Sequence, residues 1–123
     1  MTAVLSLLKE RTMNLSKEKV NNILVLSIDE KEANLSKADH FKQLVSNEID
    51  KGERKLIISF KNVEYLDSSF LGALVGILKY LLPLKGELIL TDLNGDIENL
   101  FKLTRLNKIF NLKQDLQTAM LDL

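Results

Sequence analysis

The chain has 123 residues, a length that fits one domain, and balances 17 basic against 17 acidic side chains. A zero formal charge gives no electrostatic ground for nucleic-acid binding, and the absence of cysteine excludes disulfides, thiolate metal sites and a cysteine nucleophile. With 46% hydrophobic and 28% charged residues, the composition is that of a soluble globular protein.

Met1 to Leu8 is partly apolar but has no basic start and no small-residue cleavage site, so it does not read as a signal peptide. Residues 1–16 are assigned to an N-terminal extension or a short added helix, and residues 17–123 to the domain. Lys17 to Val20 reads as an edge strand, with Asn21 and Asn22 at a hairpin turn. Ile23 to Ile28 is short, apolar and β-leaning, a strand. Asp29 to Leu35 is polar and loop-like. Ser36 then reads as a helix cap, because its hydroxyl can accept from an unpaired first-turn N–H, and Asp39 adds negative charge near that helix start. Ala38, Phe41, Leu44, Val45 and Ile49 recur at helical spacing as a buried stripe, and Gly52 ends the helix. His40 lies off that stripe, a surface residue. Lys51, Arg54 and Lys55 read as a solvated turn.

Leu56 to Phe60 is nearly continuous apolar sequence, the pattern of a central strand covered on both faces. Asp67 and Ser68 precede a second helix, Ser69 to Leu82, punctuated by Pro83 and Gly86. The longest apolar stretch, Phe70 to Leu84, contains Lys79 and is shorter than the roughly 20 residues a membrane-spanning helix needs. No membrane insertion is expected, and the location is read as cytoplasmic. Glu87 to Thr91 is a third apolar strand. Asn94-Gly95-Asp96 turns into a helix with Ile97, Leu100 and Phe101 facing inward. Ile109 to Leu112 is read as a last short strand and Gln114 to Leu123 as a final helix. Alternation of this kind favours an α/β fold with parallel strand pairs and helical crossovers.

Enzyme chemistry finds little support. The chain has a single histidine, and nothing in the spacing brings it to a serine as a triad would require. Neither metal-ligand spacing nor a glycine-rich phosphate loop appears. The expectation is therefore no catalytic residues, no cofactor and no metal. The informative segment is Tyr65-Leu66-Asp67-Ser68-Ser69-Phe70-Leu71-Gly72. Read on its own, Asp67 or Ser68 caps the helix that follows. A hydroxyl there is also placed where free N–H groups and the positive end of the helix dipole would stabilise a phosphate.

Asp67-Ser68-Ser69 followed by Leu71-Gly72 resembles the Asp-Ser-Ser-Gly-Leu-Gly signature of STAS-domain anti-sigma-factor antagonists. The approach through Leu56 to Phe60, Asn62-Val63 and Tyr65-Leu66 has that family's spacing. Ile97 to Leu112 is similar to the family's third helix and final strand. The likeness spans about Lys17 to Leu121. It implies a STAS-like fold: a mixed β-sheet of four to five strands with about four helices, a single layer of sheet covered by helices. It also implies that Ser68 accepts phosphate from an anti-sigma factor serine kinase, which binds the unphosphorylated form and releases the phosphorylated one. A PP2C-type phosphatase restores the hydroxyl, and ATP and metal belong to those enzymes. The implied partner surface is Asn34, Leu35, Ser36, Asp67, Ser69 and Phe70, on a monomer or weak dimer. The alternatives are a STAS scaffold subunit of a signalling complex or lipid transporter and, least supported, a serine hydrolase.

Three departures stand out. Phe70 replaces a common glycine. It begins an apolar stripe with Ala73, Ile77 and Leu81, beside a second stripe of Leu71, Leu74, Val75, Leu78 and Leu82. Such a helix is either deeply buried or offers an apolar patch to a partner. Asn34 replaces a common acid in the loop near the phosphorylation site, and Arg105 replaces a common glycine, read as a surface change. Gly72 and Gly76 lie one turn apart and are read as allowing tight packing on the sheet.

Overall fold

The computed structural model describes residues 12–123; residues 1–11 of the proposed extension lie outside them, and its end, from Leu15, is already part of the first strand. The elements run β1 (Leu15–Val20), β2 (Ile23–Ile28), β3 (Glu32–Ala33), α1 (Leu35–Asp50), β4 (Lys55–Ser59), β5 (Tyr65–Leu66), α2 (Ser68–Leu81), β6 (Glu87–Thr91), α3 (Gly95–Leu103), β7 (Asn111–Lys113) and α4 (Leu116–Asp122). One-turn 3-10 segments cover Leu82–Leu84 and Leu106–Lys108. The main sheet has five strands in the order β1-β2-β4-β6-β7, antiparallel only at β1–β2. That edge hairpin turns on Asn21 and Asn22, at φ 49° and 69°. The two consecutive left-handed residues form the turn whose twist matches paired strands.

Alternation along the strands divides the sheet into two faces. Leu24, Leu26, Leu56, Ile58, Leu88 and Leu90 point into the larger core, beneath α1, α2 and α3. Ile23, Val25, Ile57 and Ile89 point the other way, where Ala119, Met120 and Leu123 of the α4 segment pack on them. β4 is buried on both faces because it lies at the centre of the sheet, as its unbroken apolar run requires. The mixed sheet and four helices agree with the architecture read from the sequence. No helix among the described residues is long and apolar enough to cross a membrane.

α2 buries its first apolar stripe whole and most of its second, leaving Val75 half-buried and Leu82 exposed. Phe70, Leu71, Ala73, Leu74, Ile77, Leu78 and Leu81 are all buried, and the Phe70 ring stacks on Phe41 of α1 with centroids 4.5 Å apart. Gly72 is exposed with open space where a Cβ would stand, so it does not pack on the sheet. Gly76 meets the Lys42 side chain of α1 instead, at 2.8 Å from the Cβ position.

Other boundaries move for local reasons. β1 starts two residues early, at Leu15. The polar segment before α1 contains β3, and the cap of α1 is Asn34 rather than Ser36. α2 starts at Ser68 because Asp67 is its cap. Arg105, left-handed at φ 61°, starts a 3-10 turn that delays the last strand to Asn111. That conformation explains why glycine suits the position. Asp115 caps α4 by accepting from Thr118 N at 2.8 Å, so that helix starts at Leu116. His40 is half-buried, and its Nδ1 accepts from Met13 N at 2.7 Å, pinning the approach to β1 onto α1.

Phe70→Ala should lower stability by about 3–5 kcal/mol, the usual cost of emptying a buried aromatic site, read as a reduced urea midpoint. Lys17 hydrogen-bonds Glu48 and is the main cause of its depressed carboxyl pKa. A depressed folded pKa stabilises above the ordinary carboxylate range, and that contribution is lost as pH falls through it. Lys17→Met should therefore flatten the acid limb of the stability–pH curve, measured by chemical denaturation at stepped pH.

Candidate functional site

The site is built by a pairing of two-residue strands. β3 and β5 run parallel, with Glu32 opposite Tyr65 and Ala33 opposite Leu66. Glu64 N and Tyr65 N donate to Lys31 O at 2.8 and 3.0 Å, and Asp67 N donates to Ala33 O at 3.1 Å. Asn94 Nδ2 reaches from the start of α3 to Val63 O and Glu64 O, bracing the approach to β5. These backbone bonds deliver the caps Asn34 and Asp67 side by side, so α1 and α2 begin at one place.

Asp67 serves both helices. Its Oδ1 accepts from Phe70 N at 2.9 Å, closing the first turn of α2, and its Oδ2 accepts from Leu35 N at 2.8 Å, at the start of α1. Asn34 Oδ1 accepts from Ser36 N at 3.1 Å and from the Ser36 hydroxyl at 2.7 Å. The hydroxyl proposed as a cap is thus bound to the residue that caps. Ser68 is the first residue of α2 and is exposed. An open cleft of about 600 Å³ lies alongside, lined by Asn34, Leu35, Ser36, Asp39 and Asp67. Its charged lining is acidic.

Of the residues expected on the partner surface, Asn34, Leu35, Ser36, Asp67 and Ser69 gather around Ser68, with Asn34, Asp67 and Ser69 half-buried. Leu35 is 70% exposed despite its apolar character. Phe70 does not belong to that surface. It is 0% exposed, because its position in the helix turns it onto Phe41. Tyr65, 56% exposed on β5, was not among the expected residues. The alternation of β5 carries its signal, since Leu66 points inward. The bond from Leu35 N to Asp67 spans 32 residues of sequence, and no local pattern shows it. Among the described residues there is no grouping of side chains fit to hold a metal.

The family model for the STAS domain matches residues 14–119. A "Putative anti-sigma factor antagonist" of Thermotoga maritima is 32% identical over 103 residues, covering 83% of this chain and 91% of the relative. The chain is a STAS-domain protein of the anti-sigma-factor-antagonist family. A crystal structure under the same description from that organism superposes on this STAS domain with a TM-score of 0.81 at 27% identity, covering 88% of this chain and 92% of the other. The anti-sigma factor antagonist SpoIIAA shares the fold. Its unphosphorylated form gives a TM-score of 0.68 at 17% identity, with 90% and 96% coverage. The phosphorylated form, from Bacillus, also gives 0.68, at 18% identity with 90% and 97% coverage.

Asp67→Asn leaves one side-chain oxygen to serve two helix starts and puts an NH₂ beside the other N–H. Hydrogen exchange at the Leu35 amide should quicken by about tenfold or more, with a stability loss of about 0.5–2 kcal/mol, the range for a lost cap. Amide-resolved NMR and urea denaturation read the two effects.

Proposed function

We propose that this protein is a non-catalytic, phosphorylation-switched docking module with Ser68 as the phosphoacceptor. In this reading the unphosphorylated face binds an anti-sigma factor serine kinase in the cytoplasm. Phosphorylation releases that partner, and a PP2C-type phosphatase resets the hydroxyl. The observation that carries the reading is the exposed Ser68 hydroxyl at the first position of α2, beside the open cleft. Leu71 N makes the first backbone bond of that helix, to Asp67 O. The N–H groups of Ser68 and Ser69 precede it and have no intrahelical acceptor, so they suit an anionic group. The existence of SpoIIAA in unphosphorylated and phosphorylated forms supports the same reading.

A phosphate would add about −1.5 to −2 charge beside the Asp67 carboxylate. The helix start tolerates that charge, so the fold need not change. A partner packed over Ser68 would have to bury it without a compensating group. The cost is on the order of 3–5 kcal/mol by analogy with broken buried charge pairs. At about 1.4 kcal/mol per tenfold, affinity falls by roughly a hundredfold or more.

Each serine kinase of the histidine-kinase-like ATPase class from the source organism should be incubated with the protein and ATP, with phosphate mapped by mass spectrometry. Modification is expected at Ser68 alone. Ser68→Ala should bind the kinase unmodified, and Ser68→Asp should bind at least about a hundredfold more weakly. Equal binding of wild type, Ser68→Ala and Ser68→Asp would overturn the switch and favour a constitutive scaffold role.

A further inference from the structure

The parallel sheet gives the molecule two ends. Strands β2, β4, β6 and β7 run toward the Ser68 end, and α1, α2 and α3 run back from it. The opposite end therefore collects the starts of the strands and the last turns of the helices. Charge divides along this axis although the whole chain is neutral. The Ser68 end carries Asp39 and Asp67 in its cleft, with Glu32, Glu64 and Asp96 exposed nearby, against the exposed Lys31 and Lys61.

At the opposite end Lys55, Lys79, Lys85, Arg105 and Lys108 are all exposed. Among the described residues none of these five enters an ion pair. The acids of this end are largely engaged. Glu48 pairs with Lys17 and Lys51, Glu53 with Lys19, and Asp50 accepts from the Tyr80 hydroxyl. Among the described residues Glu87 and Asp50 are without an ion pair, Asp50 being held only by the neutral Tyr80 hydroxyl. Interleaved with the cations are large aliphatic side chains turned to solvent. Leu103 is 83% and Ile109 58% exposed at the α3 corner, and Leu82 and Leu84 are exposed after α2.

We propose that this basic, aliphatic end is a peripheral docking surface for an anionic lipid bilayer. Four of the five unpaired cations are lysines, and the exposed apolar groups named above are Leu and Ile. Cores of protein interfaces are depleted in lysine and enriched in aromatic residues. Interfacial lipid binding combines Lys/Arg with apolar side chains, aliphatic or aromatic, that enter the headgroup boundary, and Tyr80, 45% exposed at this end, fits that set as well. Charge complementarity also sets the orientation: the bilayer attracts the basic end and repels the acidic one. The protein would stand on the membrane with Ser68 facing away, still open to a partner. The inference does not depend on Ser68 being phosphorylated.

The test is co-sedimentation of the full chain with vesicles of phosphatidylcholine alone or with about a third phosphatidylglycerol, at low and at about 0.5 M salt, where screening is short-ranged. Binding is expected to the anionic vesicles only and should be lost at high salt. Arg105→Glu with Lys108→Glu should weaken it at least about tenfold, since each basic group near the surface contributes. Leu103→Ser with Ile109→Ser should weaken binding severalfold at unchanged salt dependence. All four positions are exposed, and unchanged thermal melting confirms that the variants fold. Equal binding to neutral vesicles, or wild-type binding by the charge-reversed variant, would overturn the proposal. So would vesicle-independent self-association in sedimentation velocity that the same charge reversal abolishes, which would assign the end to a second copy of the chain.

Discussion

One carboxylate organises the Ser68 end of this protein. Asp67 accepts from Phe70 N and from Leu35 N, so two helices that start 33 residues apart share a single capping group. Each helix start has N–H groups that its own backbone cannot satisfy. A carboxylate with two oxygens can serve both, and it also places negative charge where both dipoles favour it. The β3–β5 pairing makes this possible by fixing the two approach segments at hydrogen-bonding distance. The exposed Ser68 and Leu35 side chains therefore stand on one braced platform rather than on two independent loops.

The platform rests on the contact between α1 and α2. Phe41 and Phe70 stack just below the shared cap and are both fully buried. The Phe70 ring lies in the interior, where it fills space between helices, and the surface around Ser68 is left to polar groups and to the exposed Leu35 and Tyr65. A large aromatic side chain two residues from Ser68 thus contributes packing rather than surface chemistry. Asn34 follows a similar logic. Without a charge, its amide oxygen caps α1 by accepting from Ser36 N.

The neutral formal charge conceals a strong internal separation. A parallel sheet with all three crossover helices on one face places helix starts at one end and helix ends at the other. Acidic residues suit the positive ends of helix dipoles and basic residues the negative ends. Local helix chemistry accounts for only part of the separation: α3 carries Asp96 and Glu98 in its first turn and Lys102 in its last, and α2 ends on Lys79, whereas α1 has neither an acid in its first turn nor a base in its last. Net charge, an average over the surface, does not report the separation.

Periodicity and turn chemistry determined much of the architecture. The apolar run of β4, the helical spacing of α1 and the Asn21-Asn22 hairpin are local patterns with local causes, so the sequence specifies them. The Asp-Ser-Ser segment likewise announced a helix start bearing an exposed hydroxyl. β3 and β5 were less legible, since two-residue strands carry too little pattern to stand out from loops. Whether α2 buried both apolar stripes was left open by the sequence, because a hydrophobic stripe does not name what covers it. The tertiary structure alone decided that Phe70 meets Phe41 and that Asp67 reaches Leu35. Those contacts join residues distant along the chain, and only closure of the sheet and helices brings their atoms into van der Waals and hydrogen-bonding range.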